Sequence, residues 1–482
     1  MRLGQTSLIH FLSNLLASAL GFLATLYIAR LIGSEPLGIY NLVLGLVSWL
    51  AIAGKVGISG AISKRVSEGE DQGQYALAGV SIIGILGVVI SLGLFLFRNQ
   101  IGAYVEYPAA GYAILILIVV LMYGYINSLL IGLHLVHVSG LLSPLKIGGR
   151  AGFQMLLITI GLSTTGLFLG HIAGFVFVIL IGLYYVIRNI PELSRPRRHH
   201  YESIADYAKF SWLGNLQSRM FNYTDIIILG FFVSSGLIGI YAVAWNISQF
   251  LILFSGALKS TLFPEVSEIS NREDTQAVAS IVEDSLSFGG LFLIPGLFGG
   301  AVLGERILRM YGPEFTQGAT VLTILIIANL FMGYQNQLLS ILNGIDRPDL
   351  SFRVNALFVG ANITFNIVLI YFYGWVGAAI ATAFSVAISL LAAYYILDKI
   401  INFAIPVTEI GFQWVSALIM TIVVVGALRV ENTYHILGHN AAVVIFTVGL
   451  GAAVYFLSLL VLSQNFRETV NRNIPVDLPL LS

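Results

Sequence analysis

The sequence contains no cysteine, which excludes disulfides and thiolate metal sites. Charge is scarce: Asp, Glu, Lys and Arg make up 10% of 482 residues, where a soluble domain carries about 25%. The 24 basic and 24 acidic residues cancel, so the chain has no overall basic footprint for nucleic acid. It also lacks a Gly-x-x-x-x-Gly-Lys-Ser/Thr loop to cradle phosphates, which argues against direct ATP hydrolysis. The segments between the apolar runs are short, and none on the outer side exceeds roughly fifteen residues. They leave no room for an external catalytic domain, so the chain reads as a non-enzyme that needs no cofactor.

Long apolar stretches are what the sequence has instead, with 57% hydrophobic residues spread from end to end. A membrane span needs about 20 mostly apolar residues. Candidates fall near 8–32, 37–59, 76–97, 110–133, 144–164, 166–187, 206–232, 237–262, 284–304, 318–342, 354–373, 376–397, 410–428 and 440–462. The expected fold is all-α and integral to the membrane, with about fourteen transmembrane helices. The runs are continuous rather than alternating, which argues against a β-barrel. The opening run is too long for a signal-peptide core and lacks a convincing cleavage site, so it reads as a retained first span. With the N-terminus placed in the cytoplasm, inner loops carry 18 Lys and Arg residues, Lys146 and Arg150 among them. Outer loops carry five, namely Arg30, Arg98, Arg306, Arg309 and Arg429. This bias obeys the positive-inside rule and puts both termini in the cytoplasm of a multi-pass cell-membrane protein.

The basic stretch RNIPELSRPRRHHYESI divides the chain. We expect a six-helix lobe over 1–190, a basic cytoplasmic linker over 191–204, a second six-helix lobe over 205–400, and two additional helices with a cytoplasmic tail over 401–482. The lobes resemble each other at an offset of about 200 residues: LIGSEPLGIYNLVLGLVSW near 31–49 parallels FFVSSGLIGIYAVAWNISQF near 231–250. An even number of spans per repeat predicts a pseudo-two-fold axis along the membrane normal.

A charge at mid-membrane costs about 2.5–3.5 kcal/mol on insertion scales, so intramembrane charges point to cavities. Arg219 and Asp225 lie in the seventh span, where Asn215 and Asn222 fall on the same helical stripe. Asn14 belongs to a milder polar stripe in the first span, and Asn246 and Gln249 stand one turn apart in the eighth. Arg30 and Lys55 sit toward span ends, where long cationic chains reach the interface. The candidate substrate cavity is therefore lined by Arg219, Asn215, Asn222, Asn14, Asn246, Gln249, Arg30 and Lys55, with Asp225 as the candidate ion-coupling site. Pro295 should kink the ninth span, and Gly166, Gly170 and Gly174 present a close-packing face. His435 and His439 have a metal-ligand spacing but no third ligand, so no metal site is expected.

The segment NITFNIVLIYFYGWVGAAIATAFS, Asn362 to Ser385, resembles a signature of the polysaccharide transporter (oligosaccharide flippase) family. That family belongs to the multidrug/oligosaccharidyl-lipid/polysaccharide exporter superfamily. The segment RMYGPEFTQGATVLTIL and the paired Gly-Ile-Tyr turns at Gly38–Tyr40 and Gly239–Tyr241 fit the same family. The resemblance implies two lobes around a central cationic cavity that accepts an anionic, polyprenyl- or dolichyl-linked glycan and exports it. Its implied partners are the lipid-linked glycan, membrane lipids and glycan-assembly enzymes. The opening residues look most like archaeal members, which implies a part in N-glycosylation of surface-layer proteins. The alternative within the superfamily is a multidrug or cation exporter, which would carry more cavity carboxylates than the single Asp225.

Overall fold

A computed structural model describes residues 20–55, 57–190, 193–270 and 275–473; the side chains at 53, 55, 209–222, 253–265, 268, 270, 275, 472 and 473 lie outside the described residues. All regular structure among these residues is helical. Apolar segments in hydrocarbon require this, because a helix satisfies its own backbone donors and acceptors where no water is present. The chain divides between Ala242 and Val243 into two compact units.

The first unit comprises α1 (Leu20–Ile32), α2 (Ser34–Lys55), α3 (Ile58–Ser67), α4 (Gln72–Leu96), α5 (Arg98–Val105), α6 (Ala110–Gly132), α7 (Val136–Leu157), α8 (Ser163–Asn189), α9 (Arg198–Leu229) and the beginning of α10 (Ser235–Ser270). The second holds the rest of α10, then α11 (Thr275–Gly289), α12 (Leu293–Arg309), α13 (Ala319–Gly344), α14 (Pro348–Asp398), α15 (Val407–Tyr434), α16 (Asn440–Leu462) and α17 (Gln464–Asn473).

Ten helical stretches among the described residues are long and apolar enough to cross a membrane. Two are too long for one crossing: Val136–Asn189 has 54 residues and Pro348–Asp398 has 51. At 1.5 Å per residue each would run roughly 75–80 Å, well over twice the ~30 Å hydrocarbon core. Each reverses instead. The first turns through a π-helical segment, Ile158–Leu162, in which Gly161 has φ 95°. The second turns at Gly374, φ 58° and ψ −145°. Side chains join the arms: Gln154 Nε2 donates to the Leu167 carbonyl at 2.8 Å, and Asn362 Nδ2 donates to Thr382 Oγ1 at 3.2 Å. Along a straight helix the latter pair would stand about 30 Å apart. With both hairpins counted as two crossings, the ten stretches make twelve crossings among the described residues, close to the about fourteen expected.

The α7–α8 hairpin closes tightly because α8 presents glycine every fourth residue. A Cβ on Gly170 would lie 2.5 Å from the Gln154 nitrogen, and one on Gly174 would lie 2.5 Å from the Arg150 nitrogen. The contacts step forward along α8 and backward along α7, which defines an antiparallel pair. Small residues at this spacing let two backbones meet, so dispersion contacts replace the hydrophobic drive that lipid removes.

The repeated segments also meet. Helices α2 and α10 begin at Ser34 and Ser235 and cross where Gly38 and Gly239 face each other. A Cβ on Gly38 would fall 1.6 Å from the Ser235 carbonyl oxygen, and one on Gly239 would fall 1.9 Å from that of Ser34. The contact is self-complementary: each glycine meets the first residue of the other helix. Its outer rim is tied by α5 and the turn that follows. Tyr104 Oη donates to the Ile227 carbonyl at 2.6 Å. Glu106 accepts hydrogen bonds from the backbone N–H of Ser235, at 3.2 Å, and from its hydroxyl. A carboxylate at that place caps α10 and opposes the positive end of its dipole.

In the second unit, α11 and α12 are separated at Gly290–Phe292, one turn before Pro295. The sequence places the kink at Pro295 itself. The helix breaks upstream because the proline has no N–H for the Leu291 carbonyl and its ring crowds that position. The α15–α16 pair packs on α12 through Leu293, Leu303, Met420, Val424, Tyr455 and Leu459. Ser463 donates to Glu409 at 2.6 Å and accepts from the Phe466 N–H at 2.9 Å, capping α17.

Candidate functional site

Pro144 lies inside α7 and frees the carbonyl four residues before it. The two turns that follow carry Lys146 and Arg150, one turn apart and therefore on one face. The glycines of α8 let the Arg150 backbone lie directly against Gly174. This packing fixes where the two cations emerge: into a cavity of about 310 Å³ wholly within the first unit. Leu44, Val47 and Ser48 of α2 line one side, Ile116 and Val120 of α6 another, and His171, Phe175 and Tyr223 close it.

The polar groups of this cavity are held in place. The Lys146 ammonium stands 4.4 Å above the Tyr123 ring and 5.8 Å from that of Phe175. Such cation–π contacts keep a positive charge in apolar surroundings. His171 is 4% exposed, stacks on Phe175 at 4.6 Å, and shares a 2.6 Å hydrogen bond through Nδ1 with the Tyr40 hydroxyl. Arg150 and Gln154 stand beside that hydroxyl. Arg150 Nε and His171 Nε2 are buried and make no hydrogen bond among the described residues. No carboxylate lines the cavity among the described residues. A pocket lined by two cationic side chains, with no carboxylate among its described lining residues, can hold an anion. Its volume suits a phosphate or diphosphate head or a single sugar rather than a whole glycan.

The charge count places Lys146 and Arg150 with the inner loops although they fall at the start of the candidate span 144–164; the structure puts both inside α7. The positive-inside bias survives their removal. The available signal was the four-residue spacing of two cations within an apolar run, which costs too much to be incidental. Tyr40, His171 and Gln154 gave no comparable signal, because polar residues with this spacing also occur in ordinary helix packing.

Asp225 is buried on α9 and accepts a hydrogen bond from the Tyr241 hydroxyl at 2.6 Å. Tyr241 ends the second Gly-Ile-Tyr motif, which lies within α10 and not in a turn, so that motif positions the carboxylate. Arg30 is exposed near the end of α1. Asn246 is exposed and Gln249 half-buried, both on α10 beyond the division between units. Asn14 lies outside the described residues. Asn215, Arg219 and Asn222 fall on α9 and Lys55 ends α2, with their side chains outside the described residues.

Comparison with known proteins gives a consistent result. Residues 3–270 match a family described as polysaccharide biosynthesis protein. The "Probable flippase AglR" of Haloferax volcanii is 31% identical over 476 residues, 98% of each chain. The "Probable low-salt glycan biosynthesis flippase Agl15" of the same organism is 28% identical over 475 residues, 98% of this chain and 99% of that one. Among solved structures, "Lipid II flippase MurJ, inward closed conformation" superposes with a TM-score of 0.78 at 16% identity, covering 96% of this chain and 100% of that one. At that identity the likeness is one of fold.

Proposed function

The chain belongs to the polysaccharide biosynthesis protein family, and from that premise we propose that it is a flippase for lipid-linked oligosaccharides, moving them from the cytoplasmic to the outer leaflet of the cell membrane. The observation that carries this reading is the cavity lined by Lys146 and Arg150, with no carboxylate among its described lining residues. A glycan joined to a polyprenyl or dolichyl carrier through phosphate or diphosphate offers the matching charge. The lipid tail has no need to enter: it stays in the bilayer while the anionic head and its sugars cross through the protein. Both relatives from Haloferax are named flippases, and one is named for glycan biosynthesis. Delivery of a glycan for surface-layer glycosylation is the corresponding role.

Transport proceeds by alternating access, with both termini in the cytoplasm and the two lobes moving about the membrane normal. Cationic groups attract the head, and hydroxyl and amide groups exchange hydrogen bonds with sugar hydroxyls as water is shed. Arg219, Asn215 and Asn222 are the further candidates from the sequence for contact with the head and its sugars. Asp225 is the group able to carry a coupling proton or sodium ion, and Tyr241 Oη holds its carboxylate in place. A cation exporter would need carboxylates where this cavity has lysine and arginine.

The test is reconstitution into vesicles with a fluorescent or radiolabelled polyprenyl-diphosphate glycan. Wild type should equilibrate the label across the bilayer. Lys146→Gln and Arg150→Gln should each slow it by about 10-fold or more, the loss of one charge-assisted contact of ~1.5–3 kcal/mol. Equal rates for wild type and both variants would exclude this cavity from the path.

A further inference from the structure

The basic stretch that precedes α9 ends in adjacent histidines, His199 and His200, in the first turn of that helix. The turn between α3 and α4 brings Asp71 to meet them. Asp71 Oδ2 is 3.1 Å from His200 Nε2 and 4.0 Å from His199 Nε2. The donor atoms of all three residues lie within 4.8 Å of one another. Among the described residues this is the one group of three such side chains so placed.

The ring of His200 is fixed from behind. It is 1% exposed, rests edge-on against Tyr75 at 4.8 Å, and its Nδ1 accepts the Arg197 backbone N–H at 2.9 Å, with the Arg197 carbonyl at 3.3 Å. Its Nε2 is thereby directed at Asp71. Metal binding through Nε2 moves the ring proton to Nδ1, which then gives up the Arg197 N–H and donates to the Arg197 carbonyl, the backbone partner that ligating histidines usually have. The His199 ring lies 3.8 Å from that of His200, with its side chain 56% exposed, so it can swing without disturbing the core.

We propose that Asp71, His199 and His200 form a divalent transition-metal site that clamps the start of α9 to the α3–α4 turn. Two imidazoles and one carboxylate are a ligand set for zinc and its neighbours, with water in the open position. Tetrahedral bonds of about 2.0–2.1 Å need donor atoms about 3.4 Å apart. The separations of 3.1 and 4.0 Å bracket that value. A rotation of the exposed His199 closes the difference. Arg198, next to His199, is engaged by Glu202 at 2.7 Å.

The experiment uses full-length protein without a histidine tag, stripped with a chelator and held in lipid nanodiscs. Zn²⁺ is titrated calorimetrically and Co²⁺ spectroscopically. One equivalent should bind per chain, with the visible absorption of four-coordinate Co²⁺ and a rise in unfolding temperature. Asp71→Asn and His199→Ala, both at exposed side chains, should fold as wild type without metal and weaken binding about 10-fold or more. A His435→Ala, His439→Ala double variant should bind as wild type. Absence of binding by wild type would overturn the proposal. So would binding that survives in Asp71→Asn and His199→Ala, or that is lost only in the double variant.

Discussion

Alanine at Gly38 or Gly239 should open the crossing of α2 and α10. The added Cβ would sit 1.6 or 1.9 Å from a backbone carbonyl oxygen. A carbon approaches such an oxygen no closer than about 3.3 Å in comfortable contact, so the helices must part by roughly 1.5 Å. A carbonyl in a helix cannot swing aside as the end of a side chain can. The cost is that of overpacking, about 1–3 kcal/mol and more where backbone must move. The self-complementary contact makes a sharper statement. Once one methyl has parted the helices, the second largely fits the space already made. The Gly38→Ala, Gly239→Ala double variant should therefore lose clearly less than the sum of the single variants, a coupling of 0.5–3 kcal/mol of the kind seen between touching residues. Thermal unfolding of purified protein in one detergent, followed by loss of the monodisperse species, would measure this. Single variants as stable as wild type would refute the geometry of the crossing. Additive losses would refute the claim that both methyls act on one contact.

Asp225→Asn keeps the shape and the hydrogen bond from Tyr241 but removes the charge. It should abolish ion-driven transport in energised vesicles while leaving unfolding unchanged, and full activity would remove Asp225 from the coupling role. Glu106→Gln weakens the carboxylate cap on α10 and should cost about 1 kcal/mol in thermal unfolding. An unchanged stability would show that the Ser235 contacts contribute nothing to that cap.

Much of the fold was legible because a membrane imposes a single demand on every span. Continuous apolar runs of the right length gave the helices. The glycine spacing 166–170–174 gave the α7–α8 contact, since no other residue allows two backbones so close. The Gly-Ile-Tyr repeat marked equivalent segments, though not that their glycines meet. The cavity was harder to read. Lys146 and Arg150 stand beside Pro144 at the edge of an apolar run, where composition alone resembles a loop. Their position inside a helix follows from the reversal at Gly161, a three-dimensional fact with little trace in hydropathy. Asp225 stood out because a buried carboxylate is rare in such a chain, but its partner Tyr241 came from packing. His199 and His200 fall in the basic linker by sequence, and only the α3–α4 turn brings Asp71 alongside them.

The most direct test is the sidedness of lipid-linked glycan in cells lacking this protein. Total lipid-linked glycan and the fraction reaching the outer leaflet would be measured separately. The account predicts accumulation on the cytoplasmic side with loss from the outer leaflet, restored by wild type but not by Arg150→Gln. An unchanged distribution between leaflets, in cells with no second flippase for the same glycan, would contradict it.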